Sequence, residues 1–418
     1  MVRKLLRIGA ILTVVVALLV GAAAGVLWVL GPPTHEGYDP GDFEVVGEGD
    51  PIVGRRLVEL MCVRCHFDPE SDALAGRSLG REYNALGRPH ASNITRDEIR
   101  GIGEWTDAEL AMLFRSGVHP RRKELLPPYM PSLPNVSDVD LAHIVAFLRS
   151  DHGWVAPHRK ADPPSALKYS AVLSAWFEWQ PGRDHSVPVL RPDEAEPIAL
   201  GAYLANDLLQ CHGCHSAALD EVDWLVPADT KGFYEGGAVL VDLAQHKVVA
   251  PGLTQRAEGG LAGWSYEEFR RALVDGAGKD GAVLRWPMPR YRGLSEGELS
   301  ALYAYFKTLP AAAEAPARKA PYKVVPQIVD PGRHEFERLG CPSCHDPDAK
   351  DYRSLEGITE TYPDDASLAA YISDPRSVDA NAWMPAYDNL VDEAQMKALL
   401  EYVRRRVERG PYAPPPKE

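Results

Sequence analysis

The chain has 418 residues, a net charge of −14, and ordinary apolar and charged fractions of 45% and 25%. That length suits about three folded domains of roughly 150 residues each. The acidic balance argues against nucleic acid and anionic membrane surfaces as partners, and 35 glycines with 36 prolines imply long connections.

Arg3, Lys4 and Arg7 precede an uncharged apolar run over residues 8–30. A secretory signal core is usually about 7–15 residues, whereas a membrane-spanning helix needs about 20. The run continues through Val26 to Leu30, past a cleavage-like Ala22-Ala23-Ala24. An uncleaved anchor over 1–31 is therefore expected, with a cleaved signal as the rival reading. The basic flank would stay cytoplasmic, leaving the acidic bulk outside a bacterial cytoplasmic membrane, in the periplasm or exterior. Residues 32–50, opening with Pro32-Pro33, read as a polar tether.

Beyond the tether, one five-residue string occurs three times: Cys62-Val63-Arg64-Cys65-His66, Cys211-His212-Gly213-Cys214-His215 and Cys341-Pro342-Ser343-Cys344-His345. Together they use all six cysteines, so no disulfide is expected. C-x-x-C-H is the attachment signature of c-type haem, in which two thiols form thioethers and the adjacent histidine meets the iron. Three covalently bound haems c are expected, on Cys62, Cys65, Cys211, Cys214, Cys341 and Cys344, with His66, His215 and His345 as proximal iron ligands.

The strings sit in modules with the same order of parts. A short helix leads into each string, over 52–61, 198–209 and 333–339. A glycine that permits close approach of another helix lies eight to ten residues before the first cysteine each time: Gly54, Gly201 and Gly332. Each module closes with an amphipathic helix, over 139–148, 299–309 and 396–403, preceded by the capping pairs Ser137/Asp140, Ser295/Glu298 and Asp392/Gln395. Phe147, Tyr303, Phe306 and Tyr402 are candidates to pack on the first helix. Modules one and two also share Asn93-Ile94-Thr95 or Gly252-Leu253-Thr254, followed by Trp105 or Trp264 just before a Thr106/Glu109 or Ser265/Glu268 capping box. Module three lacks that segment; its counterpart helix is expected over 367–373, stopped by Pro375. The fold is expected to be mainly α, with three tandem class I cytochrome c-type haem domains at 51–160, 198–311 and 328–410. Between them lie an aromatic connector at 161–197, with a helix over 165–179, and a solvated linker at 312–327. A tail occupies 411–418.

The second axial ligand decides the chemistry, because an open iron binds oxygen or peroxide whereas a closed one only passes electrons. Three methionines precede proline, one per module: Met130, Met288 and Met384. Proline stiffens a loop that presents a side chain, and thioether sulfur is a soft ligand that raises the iron potential. Met130, Met288 and Met384 are thus expected as distal ligands, and Met61, Met112 and Met396 as core. His90, His119, His143 and His185 are weaker competitors. His212 should point away from its own iron, with a partner contact as its one alternative use.

With these residues in hand, the chain resembles the three-haem cytochrome c subunits of membrane-bound bacterial dehydrogenases. The likeness rests on Asn93-Ile94-Thr95 with Gly101-Ile102-Gly103-Glu104-Trp105, on Pro128-Tyr129-Met130-Pro131, and on Gly201-Ala202-Tyr203-Leu204 leading into Cys211. Glu235-Gly236-Gly237, Gly263-Trp264-Ser265 and Tyr303–Pro310 extend it, over roughly residues 52–310. Residues 328–410 are similar to a monohaem class I cytochrome c. The resemblance implies the same six ligands and a non-catalytic protein that passes electrons between redox partners: a dehydrogenase, a quinol-oxidising complex, an oxidase or a soluble cytochrome. The rival functions are a peroxidase- or reductase-like haem enzyme with one open iron, and a haem-bearing structural subunit of a respiratory complex.

Overall fold

The structure is a computed structural model. It describes residues 2–409 except 69, 80–85, 161–164, 242–246, 258, 280–282, 285–286, 312–329, 346–352, 380–381, 383 and 389. The predicted linker at 312–327 and tail at 411–418 lie outside the described residues, as do Trp286 and Trp383 beside the second and third methionines.

The chain is mainly helical. The helices are α1 (Val2–Leu30), α2 (Pro51–Met61), α3 (Val63–His66), α4 (Asp107–Ser116), α5 (Asp138–Arg149), α6 (Tyr169–Phe177), α7 (Pro197–Tyr203) and α8 (His212–His215). They continue with α9 (Tyr266–Val274), α10 (Glu296–Thr308), α11 (Pro331–Arg338), α12 (Pro342–His345), α13 (Ile358–Thr361), α14 (Asp365–Ser373), α15 (Pro375–Val378) and α16 (Glu393–Arg409). Short antiparallel ribbons pair β1 (Arg77–Ser78) with β3 (His90–Ala91), β2 (Gly87–Arg88) with β4 (Ala166–Leu167), and β5 (Val239–Val241) with β6 (Lys247–Val249).

One helix crossing recurs three times: α2 on α5, α7 on α10, and α11 on α16. The predicted glycine lies at each crossing. A Cβ on Gly54 would stand 1.8 Å from the His143 carbonyl oxygen, on Gly201 2.0 Å from that of Ala301, and on Gly332 2.1 Å from that of Ala398. No side chain fits at such separations, so these glycines set how closely the helices approach. Phe147, Tyr305 and Tyr402 are the aromatics against them. Tyr303, expected there from sequence, instead turns to α9, with its ring 5.6 Å from Tyr266 and its hydroxyl on the Trp264 carbonyl.

The first helix of each crossing opens one or two residues earlier than predicted because proline occupies its first turn: Pro51, Pro197 and Pro331. Proline is tolerated there, where no intrahelical donor is needed. The stretch 198–209 is not one α-helix. Module two has two more residues between its glycine and first cysteine than module one, and they are taken up by a π turn over Leu204–Leu208 and a left-handed Gln210. In module three the left-handed Gly340 absorbs the one extra residue.

The closing helices begin at the predicted caps. Ser295 and Glu298 cap reciprocally at 2.9 and 3.2 Å, as do Asp392 and Gln395 at 2.9 and 2.8 Å. Pro375 does more than stop α14: it opens α15. The connector helix covers only Tyr169–Phe177, because Ala166 and Leu167 are drawn into the ribbon with β2. One apolar core runs from Leu57 and Phe147 in module one to Leu200 and Phe306 in module two. A second centres on Phe336, Leu399 and Tyr402 and takes in Ala277 and Val283 from module two.

Candidate functional site: three Cys-Cys-His centres

Each C-x-x-C-H string folds as a single helical turn, with the histidine amide donating to the first cysteine's carbonyl: His66 to Cys62 at 2.9 Å, His215 to Cys211 at 3.0 Å and His345 to Cys341 at 2.9 Å. That turn sets the two sulfurs and the imidazole on one side of the chain. None of the six cysteines is in a disulfide. Burial pushes the Cys62, Cys211 and Cys341 thiols up to about 12, so as free thiols they would be inert.

The three histidines are oriented alike. Nδ1 of His66 donates to the Ser92 carbonyl at 2.7 Å, that of His215 to Pro251 at 2.8 Å, and that of His345 to Arg353 at 2.8 Å. Burial holds all three below the usual imidazole range, with the carbonyl partner opposing it. The neutral tautomer with its proton on Nδ1 leaves the Nε2 lone pair for a metal, and the carbonyl fixes the ring plane. This assigns a job to the segment shared by modules one and two. Ser92 and Pro251 immediately precede Asn93 and Gly252. Asn93 Oδ1 braces the turn by accepting from the Thr95 amide at 2.9 Å and hydroxyl at 2.7 Å. Sequence reasoning singled out the segment without finding this role, since the acting group is a backbone carbonyl.

Met130, Met288 and Met384 are half-buried, the first two packed on the larger core and the third on the smaller. Each lies near a tyrosine within the electrostatic reach of its own module's cysteines. Burial, and then Cys65 beside it, help raise the Tyr129 hydroxyl. Tyr291 is raised by burial and by Cys211 and Cys214, and Tyr387 by burial and by Cys341 and Cys344. Met112 is fully buried, while Met61 and Met396 pack half-buried at core edges.

The competing histidines have other work. His143 Nδ1 accepts from the Asp50 amide at 2.8 Å, and His185 is exposed beside Asp184. His119 stands edge-on to Trp105 at 5.1 Å, its pKa pulled down to about 4 chiefly by burial. His90 lies in β3, its amide donating to Ser165, and its ring stands within electrostatic reach of His66. His212 is fully buried against Trp224 and Phe233, so the partner contact considered from sequence is closed to it.

Several contacts between modules lie at or beside these centres. Arg64, inside the first string, donates to the Pro287 carbonyl beside Met288 at 3.0 Å. Gln210, just before the second string, donates to the Ser132 carbonyl in the Met130 loop at 2.7 Å. Arg290 donates to Ala386 at 2.5 Å and Arg292 pairs with Asp388 at 3.1 Å, joining the second and third methionine loops. Arg376 pairs with Glu59, tying module three to α2. None of these cross-module pairs carried a sequence signal.

Two thiols and a carbonyl-oriented imidazole per string, with a soft thioether in each module, fit haem c. Among the described residues, no group of three or more His, Cys, Asp or Glu is placed to hold a bare metal ion. The arrangement defines an electron-transfer cytochrome with covalently bound haem c. Residues 329–406 match the cytochrome c family. The chain is 25% identical over 392 residues to the fructose dehydrogenase cytochrome subunit of Gluconobacter japonicus, covering 82% of this chain and 76% of that one. It is 26% identical over 382 residues to the cytochrome c subunit of the quinone alcohol dehydrogenase of Gluconacetobacter polyoxogenes, with 82% and 77% covered. It is also 27% identical over 318 residues to a diheme cytochrome c-type protein of Cereibacter sphaeroides, with 72% and 98% covered. The chain is thus a relative of the cytochrome c subunits of dehydrogenases, with a cytochrome c domain at its C-terminus.

Proposed function

We propose that the protein is a membrane-anchored, three-haem relay. It would carry electrons between a dehydrogenase and a further redox protein on the outer side of a bacterial cytoplasmic membrane. Three tandem haem domains, at 51–160, 198–311 and 328–410, would each hold one haem c. Cys62, Cys65 and His66 with Met130 would hold the first; Cys211, Cys214 and His215 with Met288 the second; Cys341, Cys344 and His345 with Met384 the third. When bound, haem c supplies a one-electron iron couple. The chain's residues would attach it, offer a histidine and a methionine to its iron and leave no place for exogenous ligands, so the protein would perform no bond chemistry.

The observation that carries this reading is the repeated histidine geometry: each string's imidazole is fixed through Nδ1 on a backbone carbonyl at 2.7–2.8 Å. The cross-module contacts support an order. Arg64 of the first string and Gln210 just before the second each meet the other module's methionine loop, whereas module three joins module two through its own methionine loop and module one through Arg376. The third centre is then one end of the relay. The dehydrogenase partner is suggested by the relatives' names, and the anchor by α1, which contains an apolar span over Thr13–Leu30.

Haem content measured as the pyridine haemochrome should give three haems per chain. Near-infrared spectra of the oxidised protein should show a methionine–iron band for every haem. A high-spin, five-coordinate haem would overturn the closed-iron reading for its module and favour the enzyme alternative. Copurification of the full chain in detergent with a dehydrogenase would identify the partner.

A further inference from the structure

We propose that the outward face of α6 is a membrane-surface contact that rests in the headgroup region of the bilayer beside the end of α1. The proposal depends on the anchor reading of α1 and extends it to a part of the chain that carries no membrane signature by length.

The helix is apolar on both sides. Ala171, Val172 and Ala175 are buried against the body of the protein. Tyr169, Leu173, Trp176 and Phe177 fall at helical spacing on another face. That face is not covered: Tyr169 is 40%, Trp176 37% and Phe177 72% exposed. Only Ser170 and Ser174 interrupt its apolar surface, and an apolar face of this width is ordinarily covered by protein or by lipid. This one is flanked by exposed polar ends, Lys168 before it and Glu178 after it.

Its position identifies the occupant. The Trp28 ring lies 5.6 Å from Tyr169, and Trp176 Nε1 donates to the Gly31 carbonyl at 2.8 Å. Trp28 is in the last turn of α1, and Gly31 is the residue at which the chain leaves it. With α1 spanning, α6 stands at the level where hydrocarbon gives way to water. Tryptophan and tyrosine concentrate at that level, because each has an apolar ring and a polar handle. A single neighbouring helix leaves Phe177 open, and a bilayer would bury such a face by about 5–10 Å. The strand before α6 pairs with β2, and Ser165 accepts from the Tyr129 hydroxyl at 3.0 Å, next to Met130. Seating α6 on the membrane would therefore fix the orientation of the first haem centre relative to the bilayer.

The test uses the full haem-loaded chain in liposomes of phosphatidylethanolamine and phosphatidylglycerol. A photoreactive benzoylphenylalanine replaces one residue at a time: Leu18 in α1, Phe177 in α6, or Ile99, which is 72% exposed elsewhere on module one. Mass spectrometry of the irradiated protein should show phospholipid adducts at 18 and 177 and none at 99. Adducts at 18 with none at 177, or adducts at 177 only to protein, would overturn the proposal and leave the anchor standing. Absence of lipid adducts at both 18 and 177 would overturn the anchor and the proposal together. Lipid at 177 without lipid at 18 would overturn the anchor and, with it, the proposal that α6 rests beside a spanning α1.

Discussion

The guanidinium of Arg64 rests on the carbonyl of Pro287, 3.0 Å away, so a residue between the two cysteines of the first centre touches the neighbour of the second centre's methionine. The same charge lies close enough to Cys214 to oppose the burial that raises its thiol. A positive charge there favours the reduced, less positive iron of the second centre. Arg64→Gln should lower that haem's midpoint potential by about 50 mV, equivalent to about 1 kcal/mol for an interaction across a partly solvated interface. Optical redox titration would read the shift, and unchanged potentials at all three haems would remove Arg64 from the tuning of the relay.

Gly54 meets the His143 carbonyl at a separation that admits hydrogen and nothing larger. The obstacle is backbone, which cannot rotate away as a side chain would. Gly54→Ala should push α2 off α5 and cost about 3 kcal/mol, the upper part of the range for overpacking. The thermal midpoint followed by far-ultraviolet circular dichroism should fall, whereas Gly153→Ala, where an added Cβ meets nothing within 4 Å, should leave it almost unchanged.

These two positions show what the sequence reveals and what it hides. Gly54, the capping pairs and the Cys-Cys-His strings are local: their meaning follows from a few neighbouring residues and the period of a helix. The Ser92 and Pro251 carbonyls that orient His66 and His215 are backbone groups 26 and 36 residues away, and any residue type could provide them. Arg64, Gln210 and Arg290 look like ordinary surface residues until the modules are docked. Tyr305 rather than Tyr303 meets Gly201 because it lies one helical turn after Ala301, on the same face of α10. The helical, three-crossing architecture was therefore legible in advance, but the contacts that join the centres were not.

Asp207 accepts from Asn135 Nδ2 at 3.0 Å across the boundary between modules one and two. Burial raises its carboxyl from an ordinary 3.8 to about 6, against the pull of Asn135 and Arg183. Between those values the folded chain holds a proton that the unfolded chain releases. The stabilisation is therefore complete below about pH 4 and is lost as pH rises towards 6. Discounted for partial solvation, its size is about 1–2 kcal/mol. Asp207→Asn should flatten this part of the stability–pH profile, read as denaturant midpoints across that window, and should make the protein more stable than the parent at pH 7.

Arg191, in the connector, bridges Asp140 of α5 at 2.8 Å and Glu298 of α10 at 3.0 Å, both almost wholly buried. Glu298 keeps Arg56 as a second partner, and Asp140 keeps the Tyr203 hydroxyl at 2.6 Å. Removing one partner of a buried ion pair strands the other charge. Arg191→Ala should cost about 2–3 kcal/mol, below the full value for an isolated pair because both carboxylates keep a donor. Neutralising a stranded carboxylate in Arg191→Ala/Asp140→Asn should recover part of the loss. Additive single-variant effects in that thermal-melt cycle would deny the bridge its role in holding modules one and two together.

Met384 offers the most direct test of the closed third centre. It is half-buried on the smaller core, and its loop's Tyr387 lies in the field of Cys341 and Cys344 while Arg290 stacks 5.0 Å from the Tyr387 ring. A thioether ligand favours reduced iron, and imidazole in its place favours oxidised iron. Met384→His should leave the third haem six-coordinate and low-spin, remove one methionine–iron band of three in the near-infrared, and lower one midpoint potential by more than about 100 mV, roughly 2 kcal/mol. Met384→Ala should instead open the iron, giving a high-spin signal and carbon monoxide binding in the reduced state. Met396→Ala, in α16 at the edge of the same core, should change stability but none of these spectra. An unchanged set of three bands in Met384→His would assign the third distal ligand to a methionine other than Met384.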